Sequence, residues 1–332
     1  MTPRTFLREL FGRHDDARIT DKNTYAPRLG RHLLHPRYWP MWLAMVVARL
    51  VVILPRRWRD RLGYWLGDHA YQRSPKRREI IAVNLELCFP DLSETQRQTM
   101  ARSFSRLMAR TILDYGLLWW VSESRLASLI KIEGEEHIRD SLSDGYSVIL
   151  LTGHSIALDF GALALSRLYS SVGFVKPMRN PVLEWFASRG RTRFKAHLRD
   201  RASGIRGVIR DLRQGDIFYY LPDEDLGMTQ QTEFVPFFGV PQATLTALGR
   251  IARMANAAVL PTMSYFEPDT GTYRVIVDPP LKDFPSGDNY QDALRQNQEL
   301  ERMIKRAPEQ YMWSFRLFQT RPEGEENPYT YG

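Results

Sequence analysis

The stretch SVILLTGHSIALDFGAL, residues 147–163, decides how this chain is read. Its first part is an aliphatic run of strand length, and its last part carries apolar residues through the start of a helix. Thr152, Gly153 and His154 stand between them. A strand that turns directly into a helix is one unit of an α/β sheet, where ligands and catalytic groups gather at the carboxyl ends of the strands. His154 therefore falls where a site is expected. Asp159 follows, and on one straight helix two residues five apart would diverge by about 140°, so they can meet only if His154 precedes the helix. The chemistry of such a pair is general-base catalysis, with an imidazole that takes a proton and a carboxylate that fixes its tautomer and stabilises the imidazolium.

The same letters allow a rival. Gly153-His154-Ser155-Ile156-Ala157 nearly matches the G-x-S-x-G elbow, which would make Ser155 the nucleophile of a serine esterase. That arrangement needs an acid and then a histidine further along, but the only histidine after Ser155 is His197, which comes before Asp223. The order argues against it.

Outward from this window, β-rich runs at Ser147–Thr152, Gly173–Lys176, Ile217–Leu221, Ala258–Thr262 and Tyr273–Val277 alternate with helical stretches. The pattern predicts an α/β fold with a mixed, mostly parallel sheet flanked by helices. Upstream, Ser74-Pro75 opens a helix to about Leu87, and Ser93 with Gln96 forms a capping box for a helix to about Trp119. Between Pro40 and Pro55 lies MWLAMVVARLVVIL, interrupted by Arg49 alone. As a helix its fourteen residues reach about 21 Å, short of a hydrocarbon core of about 30 Å. Arginines on both sides suit lipid headgroups. These features predict a monotopic or tilted membrane anchor.

The 332 residues include one cysteine, Cys88, so an intrachain disulfide and a thiolate metal cluster are both excluded, as in a reducing compartment. Without i, i+4 histidine pairing, no metal site is expected. Net charge is +8, and from Lys176 to Arg213 eleven Lys/Arg face three acids, which accounts for the whole excess. Nine of those eleven are arginine, the residue suited to bidentate phosphate binding. The basic and aromatic residues interleave, yet follow no nucleic-acid reader motif or single helical face, so no nucleic-acid partner is expected.

Four ordered blocks, TGHSIALD, MRNPVLEWFASRGRTR, YYLPDEDLG with FVPFFGVPQATLTALGRIAR, and LPT at 260–262, together resemble the late lipid A acyltransferases. These are the lauroyl and myristoyl transferases of the lysophospholipid acyltransferase superfamily. The resemblance spans roughly residues 40–320. It implies an acyl carrier protein thioester as donor, a hydroxyacyl chain of a Kdo-lipid A precursor as acceptor, a C12–C14 acyl chain and no cofactor. It also implies a catalytic domain on the cytoplasmic side of the inner membrane, against anionic lipid. By position, His154 resembles the general base and Asp159 its partner. Arg191 resembles the arginine of the second block, with Arg193 and Arg189 beside it as substrate-binding residues, and Asp223 and Asp225 match the acidic block. Many members carry glutamate where Asp159 stands, and aspartate leans toward the myristoyl branch. Phe218, Tyr219, Phe234, Phe237 and Phe238 are candidates to line an acyl tunnel. A glycerolipid or aminolipid O-acyltransferase of the same superfamily is the alternative. The expected organisation is a basic segment at 1–37, an anchor helix at 38–55, an acyltransferase domain at 56–320 and a flexible tail at 321–332.

Overall fold

The computed structural model describes residues 24–330, so most of the basic segment expected at 1–37 lies outside the described residues. The chain enters through α1 (Trp39–Ile53), α2 (Arg56–Arg73), α3 (Pro75–Cys88), α4 (Glu94–Trp120) and α5 (Glu123–Leu129). Proline sits in the first turn of α3, but the Ser74 side chain makes no cap hydrogen bond. At α4 the expected capping box is complete: the Ser93 hydroxyl accepts from Gln96 N, and the Gln96 side chain accepts from Ser93 N. Helix α2 packs closely on α4 because a Cβ at Gly67 would stand 2.5 Å from the Arg106 Cα. At Gly63 it would stand 2.6 Å from the Arg110 Cα. The resulting interface buries an ionic cluster in which Arg59 donates to Asp114, Arg110 forms an ion pair with it, and the Tyr273 hydroxyl donates to it at 2.8 Å.

The sheet then builds from β1 (Ile130–Glu133), β2 (Ser147–Leu151), β3 (Ser171–Val175), β4 (Ala196–Asp200), β5 (Ile217–Tyr220), β8 (Ala257–Glu267) and β9 (Thr272–Val277). A separate antiparallel hairpin pairs β6 (Thr232–Phe237) with β7 (Val240–Leu245). Strand order is β1-β9-β8-β2-β5-β3-β4, parallel throughout except between β8 and β9. Helices α6 (Glu135–Ser143), α7 (Leu158–Leu168), α8 (Pro181–Arg191), α9 (Arg206–Arg213), α10 (Leu248–Ala255) and α11 (Asn289–Ile304) complete the layers. The central strand β2 is covered on both faces: Val148, Ile149, Leu150 and Leu151 are all fully buried. Such a strand reads as a continuous aliphatic run, which is how it announces itself in the sequence. β1, β4, β6 and β7 carry no comparable run and were not expected.

Helix α1 covers fifteen residues and seats on α8, with Met45 in a small core formed by Leu33, Val182, Trp185 and Phe186. Its other side presents Leu43, Val46, Val47, Leu50 and Ile53, each at least half exposed. Among the described residues no helix is long and apolar enough to cross a membrane. Within the segment expected as a tail, Tyr329 is only 5% exposed, and its hydroxyl donates to Asn84 Oδ1 at 2.6 Å while accepting from Phe318 N at 3.1 Å. A buried aromatic carrying a polar tip overrides the polar composition of that segment.

Candidate active site

The site forms where β2 and β5 end side by side. Their parallel register pairs Leu151 with Tyr220, so three residues further along each chain His154 faces Asp223. The imidazole Nδ1 lies 2.7 Å from Asp223 Oδ1, and His154 N donates to Asp223 Oδ2 at 2.7 Å. Gly153 makes this approach possible, since a Cβ there would stand 2.9 Å from Met263 Cε and 3.4 Å from Asp223 Oδ2. The loop is held from outside by the chain near residue 311: Met312 N donates to His154 O at 2.8 Å, and Ile156 N to Gln310 O at 2.9 Å. The Tyr311 hydroxyl also donates to Asp223 Oδ2, at 3.0 Å.

Burial alone would depress the proton affinity of His154, but the Asp223 carboxylate more than offsets this and the pKa is raised. Burial likewise opposes ionisation of Asp223, and the paired imidazole overrides it to hold the carboxyl below its ordinary value. With Nδ1 bonded to a carboxylate, the tautomer is set and Nε2 is the nitrogen left for a reacting proton. Glu224 Oε1 stands 3.8 Å from Nε2, and the edge of Phe315 closes one side of the ring.

Asp159 is not the residue that holds Nδ1. It lies in the first turn of α7 and accepts from Arg191 Nε at 2.8 Å and Nη2 at 3.3 Å, with Tyr115 as a further donor. An acid at a helix start and an arginine at a helix end are each in favourable dipole positions, which reinforces this pairing. Burial works against the Asp159 charge, but Arg191 lowers its pKa overall. The pair remains electrostatically close to His154, whose charge also favours ionised Asp159.

The remaining candidates are distributed. Arg193 donates to the carbonyls of Leu118 and Val121, and Arg189 stacks over Trp185 at 4.9 Å, so both brace α8 against its surroundings. Asp225 accepts from Thr320 N at 2.6 Å and from the Thr320 hydroxyl at 2.8 Å, tying down the C-terminal segment. The Ser155 hydroxyl is buried and donates to Ser264 O at 2.7 Å, which points it away from nucleophilic use. His197, Asp211 and Asp216 bring metal-ligand residue types together, but Arg199 already holds the Asp211 carboxylate.

From His154 a cleft of about 360 Å³ runs between β5 and α10, lined by Phe174, Ile205, Phe218, Leu221, Leu245 and Ile251, with Arg201 and Arg250 as its charged residues. Phe218 and Tyr219 belong to it as expected. Phe237 and Phe238 instead pack on Tyr311 and Trp313. Arg201 was missed by sequence reasoning, because it is one arginine among many until the strand ends are aligned.

An imidazole backed by a carboxylate at the head of an apolar cleft has the geometry to take a proton from a bound hydroxyl. Residues 27–320 match the family model of the bacterial lipid A biosynthesis acyltransferases, and the chain belongs to that family. It is 36% identical to a lipid A biosynthesis lauroyltransferase of Escherichia coli (strain K12), over 92% of this chain and all of that one. A myristoyltransferase of the same organism is 31% identical over 93% of this chain and 97% of its own length. A palmitoleoyltransferase, again from that organism, is 31% identical over 91% and 98%. Among solved structures, a 1-acyl-sn-glycerophosphate acyltransferase from Thermotoga maritima aligns over 76% of this chain and 98% of its own, at 16% identity and a TM-score of 0.35. That likeness is too distant to bear on the site. The chain is an acyltransferase of lipid A biosynthesis, acting on a lipid A precursor.

Proposed function

We propose that the enzyme moves a C12–C14 acyl chain from an acyl carrier protein thioester to the hydroxyl of a hydroxyacyl chain on a Kdo-lipid A precursor. The observation that carries this reading is the His154–Asp223 pair at the head of the apolar cleft. Nε2 of His154 takes the proton of the acceptor hydroxyl as its oxygen attacks the thioester carbonyl. The tetrahedral oxyanion collapses, the carbon–sulfur bond breaks, and the imidazolium returns its proton to the departing thiolate. Asp223 keeps the imidazole in the required tautomer and steadies its positive state. The cleft takes the acyl chain, each buried methylene contributing about 0.8 kcal/mol. Asp159 holds Arg191, whose guanidinium meets a phosphate of the acceptor.

The exposed apolar side of α1, with Arg56, Arg57 and Arg61 following it, supports docking to anionic lipid on the cytoplasmic side of the inner membrane. The basic stretch from Lys176 to Arg213 supports recognition of an acidic carrier protein. The test compares an acyl carrier protein donor with a short acyl thioester lacking the protein, between about 0.1 M salt, where the Debye length is about 10 Å, and about 1 M, where it is about 3 Å. The protein donor should lose turnover steeply and the short donor should not. Equal salt sensitivity overturns carrier docking. Mass spectrometry of lipid A with and without the gene identifies the chain transferred, and an unchanged lipid A overturns the acceptor.

A further inference from the structure

We infer that Glu224 and Arg201 act as a pair of opposed charges that set the proton affinity of His154 at Nε2. The inference rests on the reading of His154 as the base. Asp223 occupies Nδ1, so Nε2 is the nitrogen that must be empty when the acceptor arrives and charged just afterwards. Glu224 Oε1 lies 3.8 Å from it, too far for a hydrogen bond and near enough for a strong Coulomb interaction. The other carboxylate oxygen, Oε2, accepts from Arg201 Nη1 at 2.9 Å.

The two residues reach this position from different strands. Glu224 follows β5, whereas Arg201 opens the short turn after β4 and lines the cleft. Arg201 holds Glu224 by one oxygen. Without it, the carboxylate would be free to close on Nε2, trap the imidazolium and obstruct the acceptor. Without Glu224, the imidazolium would lose one of its two flanking anions. Glu224 raises the proton affinity of His154 and Arg201 lowers it, so the base strength reflects their balance. The other groups facing the ring leave room for this control: Asp223 beyond β5, Asp159 on α7 with its partner Arg191 on α8, Tyr311 acting through Asp223, and the uncharged edge of Phe315. The Glu224 and Arg201 side chains are 32% and 39% exposed, so substitution removes charge without opening the core.

The experiment is a nitrogen NMR titration of His154 in the full chain, alongside the pH dependence of kcat/KM, for the wild type, Glu224→Gln, Arg201→Gln and the double variant. Glu224→Gln should move the imidazole titration and the acid limb of activity to lower pH by about half a pH unit, the order expected of a charge near 4 Å screened by solvent. Arg201→Gln should move both to higher pH, and the double variant should return toward the wild type. A merely structural ion pair predicts equal losses of thermal stability and no displacement of opposite sign. Displacements in the same direction, or none in the titration, overturn the inference. An imidazole that titrates as expected while the acid limb stays fixed overturns instead the reading of His154 as the base.

Discussion

Two arginine–aspartate clusters share helix α4, and neighbouring residues of that helix serve them. Asp114 receives Arg59 and Arg110 in a cluster whose side chains are 8%, 0% and 1% exposed for Arg59, Arg110 and Asp114. Tyr115, the next residue, touches the Asp159–Arg191 pair, where the arginine side chain remains 30% exposed and the aspartate 12%. The first cluster joins α2, α4 and β9 through the Tyr273 hydroxyl. The second joins α7 to α8 beside His154. Similar groups thus serve different ends: a cluster closed on all sides can only hold the fold, while one left open to the surface can also meet a substrate. The difference lies in access rather than in chemistry.

The sharpest test of the comparison lies at His154 itself. His154→Ala should lower turnover by about 10² to 10⁴ without changing the melting temperature appreciably, since the proposed loss is proton transfer. A residual rate above about a tenth of wild type in purified enzyme would exclude the base assignment. Asp223→Asn should approach this loss, because an amide leaves the Nδ1 proton poorly oriented. If the loss instead follows Asp159→Asn alone, the partner assignment is reversed.

At the closed cluster, Asp114→Ala leaves two buried arginines without their shared carboxylate. The cost should be about 3–5 kcal/mol, a large part of the roughly 5–15 kcal/mol that keeps a typical domain folded. Thermal or urea unfolding should show a steep fall in stability, while kcat per folded molecule changes little. Asp159→Asn should invert the pattern, with kcat reduced about tenfold or more, equivalent to about 1.4 kcal/mol, and a smaller stability change because solvent screens Arg191. Equal effects on stability at both clusters would dissolve the distinction.

The pH dependence gives a smaller effect of fixed sign. Since the His154 pKa is raised above its ordinary 6.5, the neutral base is lost as pH falls through that raised value. The acid limb of kcat/KM should therefore lie above pH 6.5, and Asp223→Asn should carry it downward as residual activity permits. A limb below 6.5 in the wild type would contradict the electrostatic arrangement. Smallest of all, replacing Leu43, Val47 and Leu50 on α1 by serine should weaken flotation with anionic vesicles severalfold while leaving turnover on a soluble donor and acceptor unchanged. Unaltered flotation would move the membrane contact elsewhere.

Much of the fold was legible because its signals are local. The Ser93–Gln96 capping box announced α4, the proline at 75 announced α3, and the aliphatic run before Thr152 announced β2 and placed His154 ahead of the next helix. The edge strands were not legible: β4 reads AHLRD, whose two apolar residues, Ala196 and Leu198, are too short a signal to stand out, and it exists because β3 offers it a parallel partner. The burial of Tyr329 was not legible for a similar reason, since its hydroxyl bonds the distant Asn84.

The residues themselves determined that there would be an imidazole at a strand end, acids in the block after β5 and a concentration of arginine around α8. Which acid meets which base was decided by the tertiary structure alone. Asp159 is near His154 in sequence but faces Arg191, whereas Asp223 is sixty-nine residues away and bonds Nδ1. The physical reason is register. Parallel strands aligned at Leu151 and Tyr220 carry equal offsets beyond their ends to one place, and hydrogen bonding between neighbouring strands, which no local spacing records, sets that alignment.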